Sequence, residues 1–268
     1  MSRSTTSAVP RGRRNNGCMM SEGPELAKVM AADGYDLLTA ARSDWLRPIP
    51  HCPGWSAADL VGHMGSILAW IATIVTTRNQ VARRDRATPP AETDALSSWY
   101  SGHLKRALDV LTATPADTAT WTFSTLGHNQ VGWWRRRLAV ELAIHRWDAQ
   151  HAASIENPAL PAPLDAAIAA AGIEEFLTEF LPDMLARAKI DSLTGTLRLH
   201  PTDGSNDWWV DLDNGTAGPA VPGHERPDTT VEGAGSDLLL WLTNRAPTSS
   251  IGIHGRHDHV AGWTQLRR

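Results

Sequence analysis

Apolar positions recur with helical period in segments from about residue 25 to residue 152 and give way to alternation after about residue 195. Leu26, Val29, Met30, Leu37 and Leu38 form one stripe, predicting a helix from Glu25 to Leu46 that Pro48 and Pro50 end. Pro53-Gly54 then makes a turn. Ser56 with Asp59 three residues on resembles a capping box, opening a helix that runs to about Thr77. On it Leu60, His63, Ile67, Trp70, Ile71 and Ile74 share a face. Residues 79–92 are charged and proline-containing, a loop. A third helix is expected from Thr93 to Leu111, and a fourth begins near Gly132, with its apolar run from about Trp134 to Ala152. Four amphipathic helices with one long crossover predict an antiparallel bundle, a fold that builds metal sites from side chains on facing helices.

The second half has a different texture. Asn157-Pro158-Ala159-Leu160-Pro161-Ala162-Pro163 marks a linker, and a fifth helix is expected from Leu164 to Lys189. Thr196–His200, Trp208–Leu212, Thr229–Val231 and Ile251–Ile253 are predicted strands, with a short helix over Ser236–Leu242. The expected organisation is a disordered tail (1–20), a helical bundle (21–155), then a linker helix with a smaller α+β domain (156–268).

Composition narrows the function classes. At 268 residues, 42% hydrophobic and 20% charged, the chain is globular. Its net charge is −4, and because residues 1–20 hold four arginines and no acid, the remainder carries −8. Nothing in the body offers the basic surface that nucleic acid requires. Two cysteines, Cys18 and Cys52, make no disulfide framework, which suits a reducing cytoplasm. No membrane span is expected, and the chain is expected to act as a monomer on small molecules. Twelve tryptophans against three phenylalanines is an unusual ratio.

The candidate chemistry centres on Glu141-Leu142-Ala143-Ile144-His145-Arg146-Trp147-Asp148. Glu141 and His145 lie one turn apart on a single face, and Asp148 a further turn along. Arg137 precedes Glu141 by four, so the ordinary reading is a surface charge ladder worth about 0.2–0.5 kcal/mol per pair. His63, pointing inward from the second helix, is by itself most simply a core histidine. As a third ligand beside Glu141 and His145 it would complete a metal site.

Cys52-Pro53-Gly54-Trp55-Ser56, Asp59-Leu60-Val61-Gly62-His63 and Glu141 through Asp148 resemble the mycothiol-dependent maleylpyruvate isomerase family, whose first half is a DinB-like metal-binding bundle. Leu197 through Gly204 and Gly235 through Leu242 extend the resemblance into the second half, which also resembles sterol-carrier-like modules. The implied fold class is α+β: a DinB-like four-helix bundle followed by a smaller α+β domain. The resemblance implies a metal and catalytic triad of His63, Glu141 and His145. Zinc is the first choice for two imidazoles and a carboxylate, and non-haem Fe(II) takes the same set. It also implies mycothiol as a thiol cofactor, used by a maleylpyruvate cis–trans isomerase or a thiol S-transferase. A thiol-independent metal enzyme of the same bundle, hydrolytic or Fe(II)-dependent, and a non-catalytic small-molecule binding module are the alternatives.

Asp148 is open between orienting a ligand and pairing with a basic side chain of a neighbouring element. Cys52 is expected to pack rather than react, since only His51 adjoins it in sequence. His51 stands where relatives often have a small or hydroxylated residue. Relatives place a functional arginine in the second half, for which Arg198, Arg226 and Arg245 are the candidates.

The tail yields the first test. Residues 1–20 show no periodicity, so a chain beginning at Met20 is expected to melt at the temperature of the full chain in a calorimetric scan.

Overall fold

The computed structural model describes residues 24–154, 161–188, 193–204, 206–218 and 226–266. The tail and most of the proline-rich linker lie outside these residues. Four long helices come first: α1 (Pro24–Arg42), α2 (Ala57–Thr77), α3 (Thr93–Ala113) and α4 (Val131–Ala153). Helix α1 packs on α4 and α2 on α3. The first helix stops at Arg42, four residues earlier than its pattern suggested. Residues 43–48 turn instead, with Asp44 accepting from the Leu46 amide at 3.0 Å. The capping box at Ser56 and Asp59 forms in both directions, so α2 starts where the sequence put it.

Helix α2 is by length and composition apolar enough to cross a membrane, which the sequence reading did not anticipate. Most of that window, 61%, is buried inside the protein. Close approach explains part of its composition: a Cβ added at Gly65 would lie 2.1 Å from the Trp99 ring of α3. Helix α4 is buried on nearly every side, including Arg146 and Asp148, because both halves of the protein cover it. Four of the twelve tryptophans pack together within the bundle. There Trp70, Trp121, Trp133, Trp134 and Phe123 meet edge-on or tilted, with ring centroids 4.6–6.3 Å apart.

The expected fifth helix is broken into three. Helix α5 (Ala166–Glu175) passes through a π-turn over Phe176–Phe180 into α6 (Leu181–Arg187). The π-turn turns Glu179 back towards the bundle. Its carboxylate accepts from Ser124 Oγ (2.5 Å), the Thr125 amide (2.8 Å), Thr125 Oγ1 (2.9 Å) and Trp133 Nε1 (3.3 Å). That clasp holds the loop between α3 and α4 against the second domain. A π-turn of this kind leaves no mark in hydrophobic periodicity.

The second domain is a five-stranded sheet of β1 (Thr196–Pro201), β2 (Trp208–Asp211), β3 (Thr216–Gly218), β4 (Thr229–Gly233) and β5 (Gly252–Gly255), in the order β3-β2-β1-β4-β5. Only β1 and β4 run parallel, with Leu199 beside Val231. Leu197, Leu199, Val210 and Val231 face a core completed by α7 (Gly235–Leu242) and α8 (His257–Leu266). β3 and α8 were absent from the sequence reading. Gly255 has φ +101°, and any Cβ there would lie 2.1 Å from the Asp228 carbonyl oxygen.

Helix α5 joins the two halves. A Cβ added at Gly172 would lie 2.5 Å from a Leu239 methyl of α7 and 3.1 Å from Val140 of α4. Gly172→Val is therefore expected to lower stability by about 1–3 kcal/mol in urea denaturation, while Gly102→Val, where a Cβ meets open space, is expected to lose much less.

Candidate metal centre

His63 on α2 and Glu141 and His145 on α4 bring one ligand atom each to within 4.8 Å of one another. The His63 and His145 rings meet edge-on with centroids 5.5 Å apart, and Trp55 packs 4.7 Å from His63. Burial, with the neighbouring His145 and Arg86, pushes His63 down to about 4. Burial also lowers His145, against the pull of Asp148.

The protonation of His145 follows from its partner. Its Nδ1 lies 2.9 Å from Asp148 Oδ2. Burial works to raise Asp148, but hydrogen bonds from His145 and Arg245 hold it at about 2. An ionised carboxylate only accepts, so Nδ1 carries the proton and Nε2 presents a lone pair. That lone pair faces Glu141 Oε2 at 3.3 Å. Two acceptors facing each other need a cation or a proton between them. Donors each about 2.0–2.2 Å from one tetrahedral ion lie about 3.3–3.5 Å apart, so the spacing fits a divalent metal. Glu141 is also aligned from behind: Arg137 pairs with its other oxygen, Oε1, and reaches Glu175 of α5 at 2.8 Å. The charge ladder suggested by the spacing exists, and it leaves one oxygen of Glu141 for the site.

Asp148 makes the contacts that both of its open roles call for. It orients His145, and it pairs with Arg245 from the second domain through Nε–Oδ1 and Nη2–Oδ2 contacts of 2.9 Å each. Of the three arginine candidates, Arg245 is the one at the bundle. Arg198 is held by Asp207 on the sheet, and Arg226 is exposed. Sequence spacing held no signal for a pair 97 positions apart.

Cys52 lies closer to the site than its sequence neighbours suggested. Its thiol donates to Asp148 Oδ2 at 3.8 Å, and Cys52, His145 and Asp148 form a second compact group. That group is closed by hydrogen bonds to itself and to Arg245. Burial and Asp148 push the Cys52 thiol up to about 11, so it stays protonated at neutral pH. His51 packs beside Trp147 and His151, with ring centroids at 5.5 and 5.1 Å, and burial lowers it.

Residues 29–150 match the Mycothiol maleylpyruvate isomerase N-terminal domain, and residues 167–261 match the MDMPI C-terminal domain. The chain belongs to the mycothiol maleylpyruvate isomerase family. That membership places it among enzymes. Two crystal structures share its fold across both halves: the mycothiol-dependent maleylpyruvate isomerase (TM-score 0.56, 14% identity) and a histidine-to-alanine mutant of it (0.57, 13%). Each alignment covers 85% of this chain and 91% of the other. No curated protein matches the chain by sequence.

The buried pair offers a test. Removing the cation alone, Arg245→Met, leaves Asp148 short of two donors and is expected to cost about 3–5 kcal/mol in urea denaturation of the metal-free protein. Asp148 lies below its ordinary value, so its contribution is full above about pH 4 and is lost as pH falls towards about 2. The stability gap between wild type and Asp148→Asn should close over that window.

Proposed function

We propose that this chain is a metal-dependent enzyme that uses mycothiol against an electrophilic small molecule, as a cis–trans isomerase of the maleylpyruvate type or as a thiol S-transferase. His63, Glu141 and His145 hold one divalent ion, zinc in the first instance. The observation that carries this reading is the bare Nε2 of His145 facing Glu141 Oε2 at 3.3 Å, with His63 completing the cluster. The ion, when bound, would keep the cofactor sulfur as its thiolate, the nucleophile for reversible addition to an electron-poor double bond.

The chain's own residues prepare that chemistry. Asp148 fixes the His145 tautomer so that Nε2 is free to bind. Arg137 restricts Glu141 to one inward-facing oxygen. Arg245 brings the second domain to the edge of the site, giving a bulky sugar-bearing cofactor a second wall beside the end of the bundle. Rotation about the former double bond and loss of the same sulfur give the isomer with no net change of atoms. Retention of the sulfur gives the transferase product. The reading includes action in the cytoplasm on small molecules only, as a monomer.

Purified protein is expected to hold about one divalent ion per chain by elemental analysis, and His145→Ala to lose it. In Co(II)-substituted protein, mycothiol is expected to raise a sulfur-to-cobalt charge-transfer band that His63→Ala abolishes. A spectrum that ignores mycothiol but responds to a carboxylate would replace this reading with a thiol-independent metal enzyme.

A further inference from the structure

The two carboxylates beside the candidate centre are held by arginines in opposite ways. Arg245 grips Asp148 by both oxygens, Nε to Oδ1 and Nη2 to Oδ2 at 2.9 Å each. A guanidinium and a carboxylate adopt this two-bond fork when nothing competes for either. Arg137 does not hold Glu141 in that way. Its Nη2 meets Oε1 alone, while Nη1 donates to Glu175 Oε2 at 2.8 Å. Oε2 of Glu141 is left to face His145 Nε2 at 3.3 Å.

The difference lies in where Glu175 stands. It is the last residue of α5, immediately before the π-turn. The same turn carries Phe180, whose ring centroid lies 5.4 Å from the Arg137 guanidinium carbon. Carboxylate and ring together hold the guanidinium on the α5 side of α4. The Arg137, Glu141 and Glu175 side chains are 18%, 17% and 12% exposed, so water competes weakly for any of them. Burial raises the pKa of Glu175, and Arg137 pulls it back. The charge on Glu175 therefore depends on the guanidinium staying beside it. Without Glu175, an arginine four residues before a glutamate on one helix is free to close on it as a two-bond pair. That closure would take the oxygen that faces the centre.

We infer that Glu175 is a positioning residue for the candidate ligand Glu141: by occupying one arm of Arg137, it stops that arginine from closing on both oxygens of Glu141 and keeps Oε2 turned to the centre. The second half of the chain thereby tunes a site whose candidate ligands all lie in the first half. The inference rests on the metal site of the proposed function, and its test reads metal affinity rather than turnover.

Zinc affinity is measured on full-length protein by competition with a chromophoric chelator. Glu175→Ala should weaken zinc binding by about tenfold or more. Glu175→Gln, whose amide oxygen still accepts from Nη1 but carries no charge, should fall between it and wild type. The deciding variant combines Glu175→Ala with Arg137→Met. With no guanidinium left to close on Glu141, its zinc affinity should return towards that of wild type, whereas a packing defect at Glu175 would be deepened by the second substitution. Zinc affinity of Glu175→Ala equal to wild type overturns the inference. So does a double variant that binds zinc no better than Glu175→Ala. If Glu175→Ala does not fold, Glu175→Gln takes its place in both comparisons. Wild-type protein with no affinity for zinc, Co(II) or Fe(II) overturns the metal reading and the inference with it. A wild type that binds zinc while the variants break this order overturns the inference alone.

Discussion

A carboxylate with no exposed surface must have its lone pairs met, and Asp148 meets them from three separate parts of the chain. His145 donates from the same helix, Arg245 from the second domain, and Cys52 from the turn before α2. Each donor is thereby fixed in turn: the imidazole in its tautomer, the second domain against the bundle, the turn beside the site. Low dielectric strengthens such a network when it is complete and makes any missing member expensive. The position of the candidate centre at a domain junction follows from this one side chain.

The other polar residues of α4 obey the same rule. Arg146, one position after His145, points the opposite way, to Asp33 of α1, to Gln150, and to the carbonyls of Ala162 and Pro163. It ties the start of the second half to the back of the bundle. Glu141 faces the site with Arg137 behind it, and Arg137 continues to Glu175 on the far side of the junction. A helix buried nearly all round therefore carries charges in every direction, each satisfied by a different element. The Glu-Leu-Ala-Ile-His-Arg-Trp-Asp stretch is thus a junction between domains as well as a source of candidate ligands.

The four bundle helices were legible from apolar stripes of constant period and, for α2, from a capping box at Ser56, while the prolines after α1 overshot its end by four residues. The strands β1, β2, β4 and β5 were legible from β-branched and aromatic alternation. The Thr-Ala-Gly of β3 has no such pattern, and the π-turn after Glu175 shifts hydrogen bonding without changing residue types. Helix α8 did leave a signal in Val260, Trp263 and Leu266, three buried positions spaced by three. The triad was legible only through resemblance, since Glu141–His145 spacing alone describes a charge ladder, and the structure contains that ladder too. Arg245 was one of three arginine candidates, and spacing could not single it out, since it is placed by a contact across 97 positions.

The Cys52 thiol carries one more consequence. A protein that handles electrophiles exposes its own nucleophiles to the same reagents, and this one keeps a sulfur beside the candidate centre. Held near 11 by burial and by the Asp148 carboxylate, that sulfur is almost entirely uncharged at neutral pH. The same carboxylate that holds the His145 ring therefore also keeps the neighbouring thiol in its less nucleophilic, protonated form. Chemoselectivity between a small-molecule thiol and the protein's own thiol would then be set by which of the two is ionised, with no need for steric exclusion.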